Sequence, residues 1–182
     1  MDIGKTYYAK DRKSWRKWLS ANHDREREIW LVSYLKATGK TSIPYNDAVE
    51  EALCFGWIDS TRKTLTEDSR AQRFTPRRKG APWSEMNKER VRRLHAQGLM
   101  TDAGLAAGVD FLDEEFTVPK DILAEIKKDA EAWKHFQIFS DSYVRIRIGW
   151  IDGVRDRPEE FEKRLRYFLR MTKQGKRYGM VQ

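Results

Sequence analysis

Few residues in this 182-residue chain have the type and spacing to do chemistry, and most of them fall between residues 54 and 90. The only cysteine, Cys54, lies in Ala52-Leu-Cys-Phe-Gly-Trp-Ile-Asp59, with an acid, Asp59, at the end of the run. A nucleophilic thiol needs a neighbouring base or a helix N-terminus to hold its thiolate. Cys54 falls instead near the C-terminus of a helix that ends at Gly56, where the helix dipole disfavours the anion. None of His23, His95 or His135 stands at a diagnostic spacing from it. Asp59 can act as a general base or can hold an arginine, and a cross-strand Asp59–Arg73 pair is the expectation. Cys54 and Asp59 are therefore the only candidates for catalysis, and neither is assigned that role.

The second available chemistry is anion binding. Arg73 and Arg77, in Gln72-Arg-Phe-Thr-Pro-Arg77, can present bidentate donors to a phosphate or carboxylate. Trp57, Phe74 and Trp83 can line a pocket beside them. Ser84, opening a helix, adds backbone N–H groups suited to an anion. The candidate ligand-binding set is Trp57, Asp59, Arg73, Phe74, Arg77, Trp83, Ser84, Asn87 and Arg90. No metal set is expected, because the three histidines form no HxxxH or HxxE motif. No cofactor is expected either: the 11 glycines make no GxxxxGK or GxGxxG loop, and no Gly-x-Ser-x-Gly elbow is present.

These residues have to be positioned by a mixture of strands and helices. Asp11 or Ser14 can cap a helix that carries Trp15, Trp18 and Leu19 on one face. Residues 29–35 are β-branched and aromatic on both alternating faces, which suits a strand covered on both sides. Tyr45, Ala48, Val49, Ala52 and Leu53 form the apolar stripe of the next helix, with Asp47, Glu50 and Glu51 on the opposite, polar face. Gly56 can take the left-handed conformation that ends that helix. Residues 57–61 and 71–76 alternate as paired strands, the second stopped by Pro76, with 62–70 as strand end and polar loop. A helix follows from Ser84 to about Gln97, then a short one capped by Thr101. Beyond an acidic linker, Ile122, Leu123, Ile126, Ala130, Trp133 and Phe136 continue a helical stripe with a break near Asp129. Ser140 can cap a helix over 143–151, a stretch whose periodicity also fits a strand. Asp156 with Glu159 resembles a capping box for a last helix through Phe161, Leu165, Phe168 and Leu169.

The fold class is α+β: a small antiparallel sheet packed with helices, followed by an α-helical C-terminal region. The expected organisation is an α+β domain over 1–108, a linker over 109–118 and the helical region over 119–182. A chain that is 40% hydrophobic, with seven tryptophans, is not a disordered one. No apolar run reaches the ~20 residues of a membrane span, and no signal-peptide pattern opens the chain, so the cytoplasm is the expected compartment. A single cysteine excludes an internal disulfide. The net charge of +8 is unevenly spread, with +7 over 62–93, −5 over 94–154 and +5 over 155–182. Such asymmetry can mark an anion-binding surface, or the blocks can cancel one another. Arginines interleaved with Phe74 and Trp83 also keep nucleic acid open as a partner, although no RNP, KH or zinc-finger signature appears.

Ala52-Leu-Cys-Phe-Gly-Trp-Ile-Asp59, Gln72-Arg-Phe-Thr-Pro-Arg77, Trp83-Ser-x-x-Asn87 and Gly98-Leu-Met-x-x-x-Gly104, in that order, resemble the YdeI/OmpD-associated, or bacteriocin-protection, family of bacterial proteins. The C-terminal part resembles that family's helical tail, with Pro119 opening a helix and Gly175-Lys176-Arg177 ending one. Where the family carries a basic run before its last helix, this chain has Asp152-Gly-Val-Arg-Asp-Arg-Pro158. The resemblance implies a stress-related role without established catalytic residues. The function expected is non-enzymatic binding of an anionic small molecule or acidic protein partner at the basic aromatic face. A nucleic-acid-binding module and an enzyme on a small anionic substrate are the alternatives.

Overall fold

A computed structural model describes residues 2–179. The chain divides into two compact units, one of residues 1–81 with 90–109, the other of residues 82–89 with 110–182.

The first unit is built on a four-stranded sheet. Its strands are β1 (Thr6–Tyr8), β2 (Ile29–Tyr34), β3 (Trp57–Thr66) and β4 (Ser69–Pro76), in the order β1-β2-β4-β3. The pairing of β4 with β2 and β3 is antiparallel, and Trp57, Ile58 and Asp59 face Pro76, Thr75 and Phe74 as the alternation predicts. Two expectations are corrected. The sheet is mixed, because β1 runs parallel to β2. Residues 62–70 are not a loop: β3 continues to Thr66, turns through Glu67-Asp68 and returns as β4, with register shifts after Asp59 and Thr64.

Helices α1 (Arg12–Asn22) and α2 (Tyr45–Cys54) pack on the face that carries Tyr7, Ile29, Leu31 and Phe74. Asp11 is the cap of α1: its carboxylate accepts from Ser14 N at 2.8 Å, and Ser14 Oγ accepts from Asp11 N. Trp15 and Trp57 are both buried, and each has its indole N–H satisfied, by Ala48 O at 3.0 Å and His23 O at 3.1 Å. That is how two indoles enter a core without stranding a donor. Gly56 ends the α2 segment at φ +72° as expected. The polar face of α2 is not open, however. Glu50 and Glu51 are buried under Arg12, Arg16 and Arg93.

Helix α3 (Glu85–Ala96) begins in the second unit and ends in the first, and α4 (Asp102–Leu105) follows with Thr101 as its cap. The second unit contains α5 (Lys120–Lys127), α6 (Ala130–Phe136), α7 (Asp141–Asp152) and α8 (Pro158–Lys173). Ile122, Ile126, Phe136, Tyr143, Ile148, Ile151 and Phe168 make its core. The break between α5 and α6 comes at Asp129, whose carboxylate accepts from Glu131 N and Ala132 N. Residues 143–151 are helical, because Tyr143, Ile148 and Ile151 all reach the core at helical spacing. The capping box at Asp156 does not form; α8 opens on Pro158, whose fixed φ suits the first helical position.

Candidate functional site

Asp59 is the residue from which the site can be built. It stands on β3 opposite Phe74, and one strand further on the same face is Ile29. Side chains alternate across a sheet, so Asp59 and Gln72 share the helix-covered face while Arg73 points to the other. The expected Asp59–Arg73 pair therefore does not exist. Asp59 Oδ2 accepts from Tyr45 Oη at 2.8 Å and from Gln72 Nε2 at 3.3 Å. Arg73 donates through Nε to Glu28 Oε2 at 2.8 Å and holds that carboxyl below its ordinary range.

The Tyr45 phenol is pushed up to about 12, first by burial and then by its hydrogen bond to Asp59. Folding raises this pKa, so the associated stability is complete below about pH 10 and is lost as pH climbs towards 12. In a phenolate absorbance titration one late tyrosine should vanish in Tyr45→Phe, and in Asp59→Asn it should ionise earlier. An unchanged titration curve in both variants would show that the bond does not hold the phenol neutral.

Tyr45 borders an open cavity of about 510 Å³ in the first unit. Its floor and sides include Val32, Ile43, Ala48 and Phe74, with Gln72 at the polar end. Three cations, Lys36, Lys40 and Arg62, also line it, and no aspartate or glutamate does. None of the three makes an ion pair among the described residues; Lys40 only rests over the Tyr34 ring at 4.4 Å. The 39–43 loop that forms one rim is fastened to the sheet by Tyr34 N donating to Ser42 Oγ at 3.0 Å and Ile43 N to Ala9 O at 3.1 Å.

The ligand set expected from the sequence is only partly brought together. Asp59, Arg73 and Arg77 do border one groove, of about 700 Å³, together with Arg27 and Arg78. Arg73 is committed there to Glu28, and Arg77 donates to Ala81 O at 2.8 Å. Trp57 and Phe74 are core residues, 1% and 0% exposed, rather than a ring-lined mouth. Arg90 is buried and donates to Asn46 Oδ1 at 2.8 Å. Trp83, Ser84 and Asn87 belong to the second unit. There Ser84 Oγ accepts from Asn87 N, and Trp83 meets Phe111 edge to face at 5.0 Å.

Cys54 is fully buried, and its thiol is pushed up by burial and by the charge of Glu51, so it has neither the access nor the ionisation of a nucleophile. No group of three metal-ligating side chains occurs among the described residues, and no described helix is long and apolar enough to cross a membrane. The residues that sequence reasoning missed are Tyr45, Lys36, Lys40 and Arg62. Tyr45 counts as apolar in the helical stripe, but at the first position of α2 its ring end is free to reach the sheet.

Residues 7–107, more than half of the chain, match the family described as Domain of unknown function (DUF8412), and the chain belongs to that family. Residues 115–175 match the family described as Bacteriocin-protection, YdeI or OmpD-Associated. The expected relationship to the latter family is therefore present, and the helical tail carries it, while the motifs from Ala52 to Gly104 lie in the stretch matched by the former. No curated protein and no solved structure matches the chain.

Proposed function

We propose that this protein is a non-enzymatic binding protein for a small organic anion, held in the first-unit cavity beside Tyr45. One observation carries the reading: three cations without ion-pair partners among the described residues line an apolar-floored cavity that no carboxylate lines. An apolar body would sit against Val32 and Ile43, and a multiply charged head would meet Lys36, Lys40 and Arg62. Gln72 and Tyr45, aligned by Asp59, would fix its orientation. The volume lies within the usual range for small-molecule sites, ~300–1,000 Å³. A protective role against bacteriocins comes from the description of the family matched by residues 115–175. Nucleic-acid binding is less well supported, because Arg90 and Arg93 turn onto Asn46 and Glu50, Lys88 turns onto Glu85 and Glu114, and Trp57 and Phe74 offer no face for stacking.

The test is calorimetric titration with 1-naphthyl phosphate against its neutral parent 1-naphthol. The phosphate is expected to bind at least roughly tenfold more tightly, and Arg62→Ala and Lys40→Ala should each weaken it by about tenfold, the loss of one charge-assisted contact. Equal binding of the two probes, or variants that bind like the parent protein, would refute the reading.

A further inference from the structure

A buried cation without a counter-charge marks a second site, in the other unit. Arg147, on α7, is 7% exposed. Its Nε is buried without a hydrogen-bond partner, and no carboxylate pairs with the guanidinium among the described residues. Its guanidinium carbon lies over the rings of Trp150, at 5.7 Å, and Tyr178, at 5.1 Å. Ring faces offset only part of the cost of taking a charge out of water. The neighbouring phenols supply no negative charge, since burial pushes Tyr143 up and Tyr178 up to about 12.

Arg147 lines a cavity of about 660 Å³ together with Trp83, Ser84, Phe116, Trp150 and Arg164. The other ionised groups on its wall have opposite charges: Glu85 meets Lys88, Asp152 meets Arg155, and Arg164 meets Glu160. Among the described residues of this wall, Arg147 has none. The twelve-residue α3 begins at the same wall, so its N-terminus adds to the positive potential.

We propose that this cavity is a binding site for a flat, singly charged carboxylate, with Arg147 as its charge partner. One unmatched cation is balanced by one negative charge, which favours a carboxylate over a dianionic phosphate. A guanidinium offers a planar fork of N–H groups that matches a planar carboxylate, and the Nε of Arg147 has no partner among the described residues. The Trp83 and Phe116 side chains on the same wall suit a flat apolar body. The site does not depend on the first-unit cavity and differs from it in ligand charge.

The test uses the full chain and benzoate, with benzamide and inorganic phosphate as controls. Benzoate is expected to bind, to slow amide exchange over residues 141–152, and to raise the melting temperature by about 2–4 °C near saturation. Benzamide and phosphate should bind at least roughly tenfold more weakly. Arg147→Met should lose the benzoate response and, without ligand, melt no lower than the parent protein, since it removes an unmatched buried charge. Arg147→Lys keeps the charge without the planar fork and should bind benzoate at least about tenfold more weakly. Equal binding of benzamide, phosphate competing as well as benzoate, or undiminished binding by either variant overturns the proposal. So does an Arg147→Met protein that melts several degrees lower while the parent protein ignores benzoate, because Arg147 is then a structural cation.

Discussion

Gly104→Ala is expected to destabilise the first unit by about 3 kcal/mol, at the upper end of ordinary overpacking costs. A Cβ on Gly104 would lie 2.2 Å from the carbonyl oxygen of Cys54 and 2.7 Å from its carbon. Neither atom is the end of a flexible side chain. Both belong to the last turn of α2, where that carbonyl already accepts from Thr101 N at 3.0 Å and Thr101 Oγ1 at 2.6 Å. The approach is reciprocal, since a Cβ on Gly56 would lie 2.8 Å from Ala103 O. Two short backbone segments are thus in direct contact, and α4 can cap the end of α2 only while both positions lack a side chain. Gly98→Ala is the control. It carries a left-handed demand that Gly104 lacks, φ +66°, but has open space around its Cβ, so its cost, from backbone strain alone, should be about 1–2 kcal/mol. Urea denaturation should show the Gly104→Ala midpoint falling with an unchanged slope. A Gly104→Ala protein within ~0.5 kcal/mol of the parent would mean that α4 does not pack as described.

This contact gives a physical account of two of the sequence's motifs. Gly56, in Cys54-Phe-Gly-Trp-Ile-Asp59, is legible as a helix-ending glycine, while Gly104, at the end of Gly98-Leu-Met-x-x-x-Gly104, falls inside a short helix where its type has no local reason. Their mutual contact is a tertiary fact that no local spacing carries. The same division runs through the fold. Strand β2 is readable because four successive residues, Ile29 to Val32, are buried on both faces and all are apolar. Strand β1 is not, because three residues give no period to count. Residues 62–66 hide as a loop for another reason. This end of the hairpin is mostly exposed on both faces, so its strand carries no apolar alternation.

The candidate site was legible at its centre and not at its edges. Asp59 is conspicuous as an acid at an element junction, and it accepts hydrogen bonds there from Tyr45 and Gln72. Its partner was misassigned because Arg73 is close in strand pairing, while the pleat puts it on the opposite face. Tyr45 was taken into the apolar stripe because its ring fits the helical period, and only the sheet beneath shows its hydroxyl turned to Asp59. Lys36, Lys40 and Arg62 come from a turn and an exposed strand, positions where cations carry no local signal at all. Arg147 was equally hidden, since an arginine between Ile146 and Ile148 reads as the solvated side of a helix until the rings of Trp150 and Tyr178 are seen to cover it.

The polar face of α2 yields the other large effect. Periodicity places Asp47, Glu50 and Glu51 opposite the apolar stripe and cannot tell what covers that side. Arg12 lies over all three acids, donating to Glu51 at 2.8 Å, Glu50 at 3.1 Å and Asp47 at 3.3 Å. Arg16 takes the second oxygen of Glu51 at 2.8 Å, and Arg93 takes that of Glu50. The acid side chains are 2% and 6% exposed and the Arg12 side chain 36%, so the two halves of the network are not equivalent. An arginine that loses its acid can swing into water; a glutamate that loses its arginine stays buried with a charge to solvate. Arg12→Met is therefore expected to cost about 3 kcal/mol, the low end for breaking a buried pair. Glu51→Gln, which removes a charge from the buried side, should cost less than Arg12→Met. The two together should fall short of the sum of the single losses by roughly 1–2 kcal/mol, since the residues share one network. That coupling should persist in 0.5 M salt, because desolvated charges are screened far less than surface ones. A cost for Arg12→Met below ~1 kcal/mol, or a coupling that disappears with salt, would place Arg12 on an ordinary surface and leave the burial of Glu50 and Glu51 without a cause.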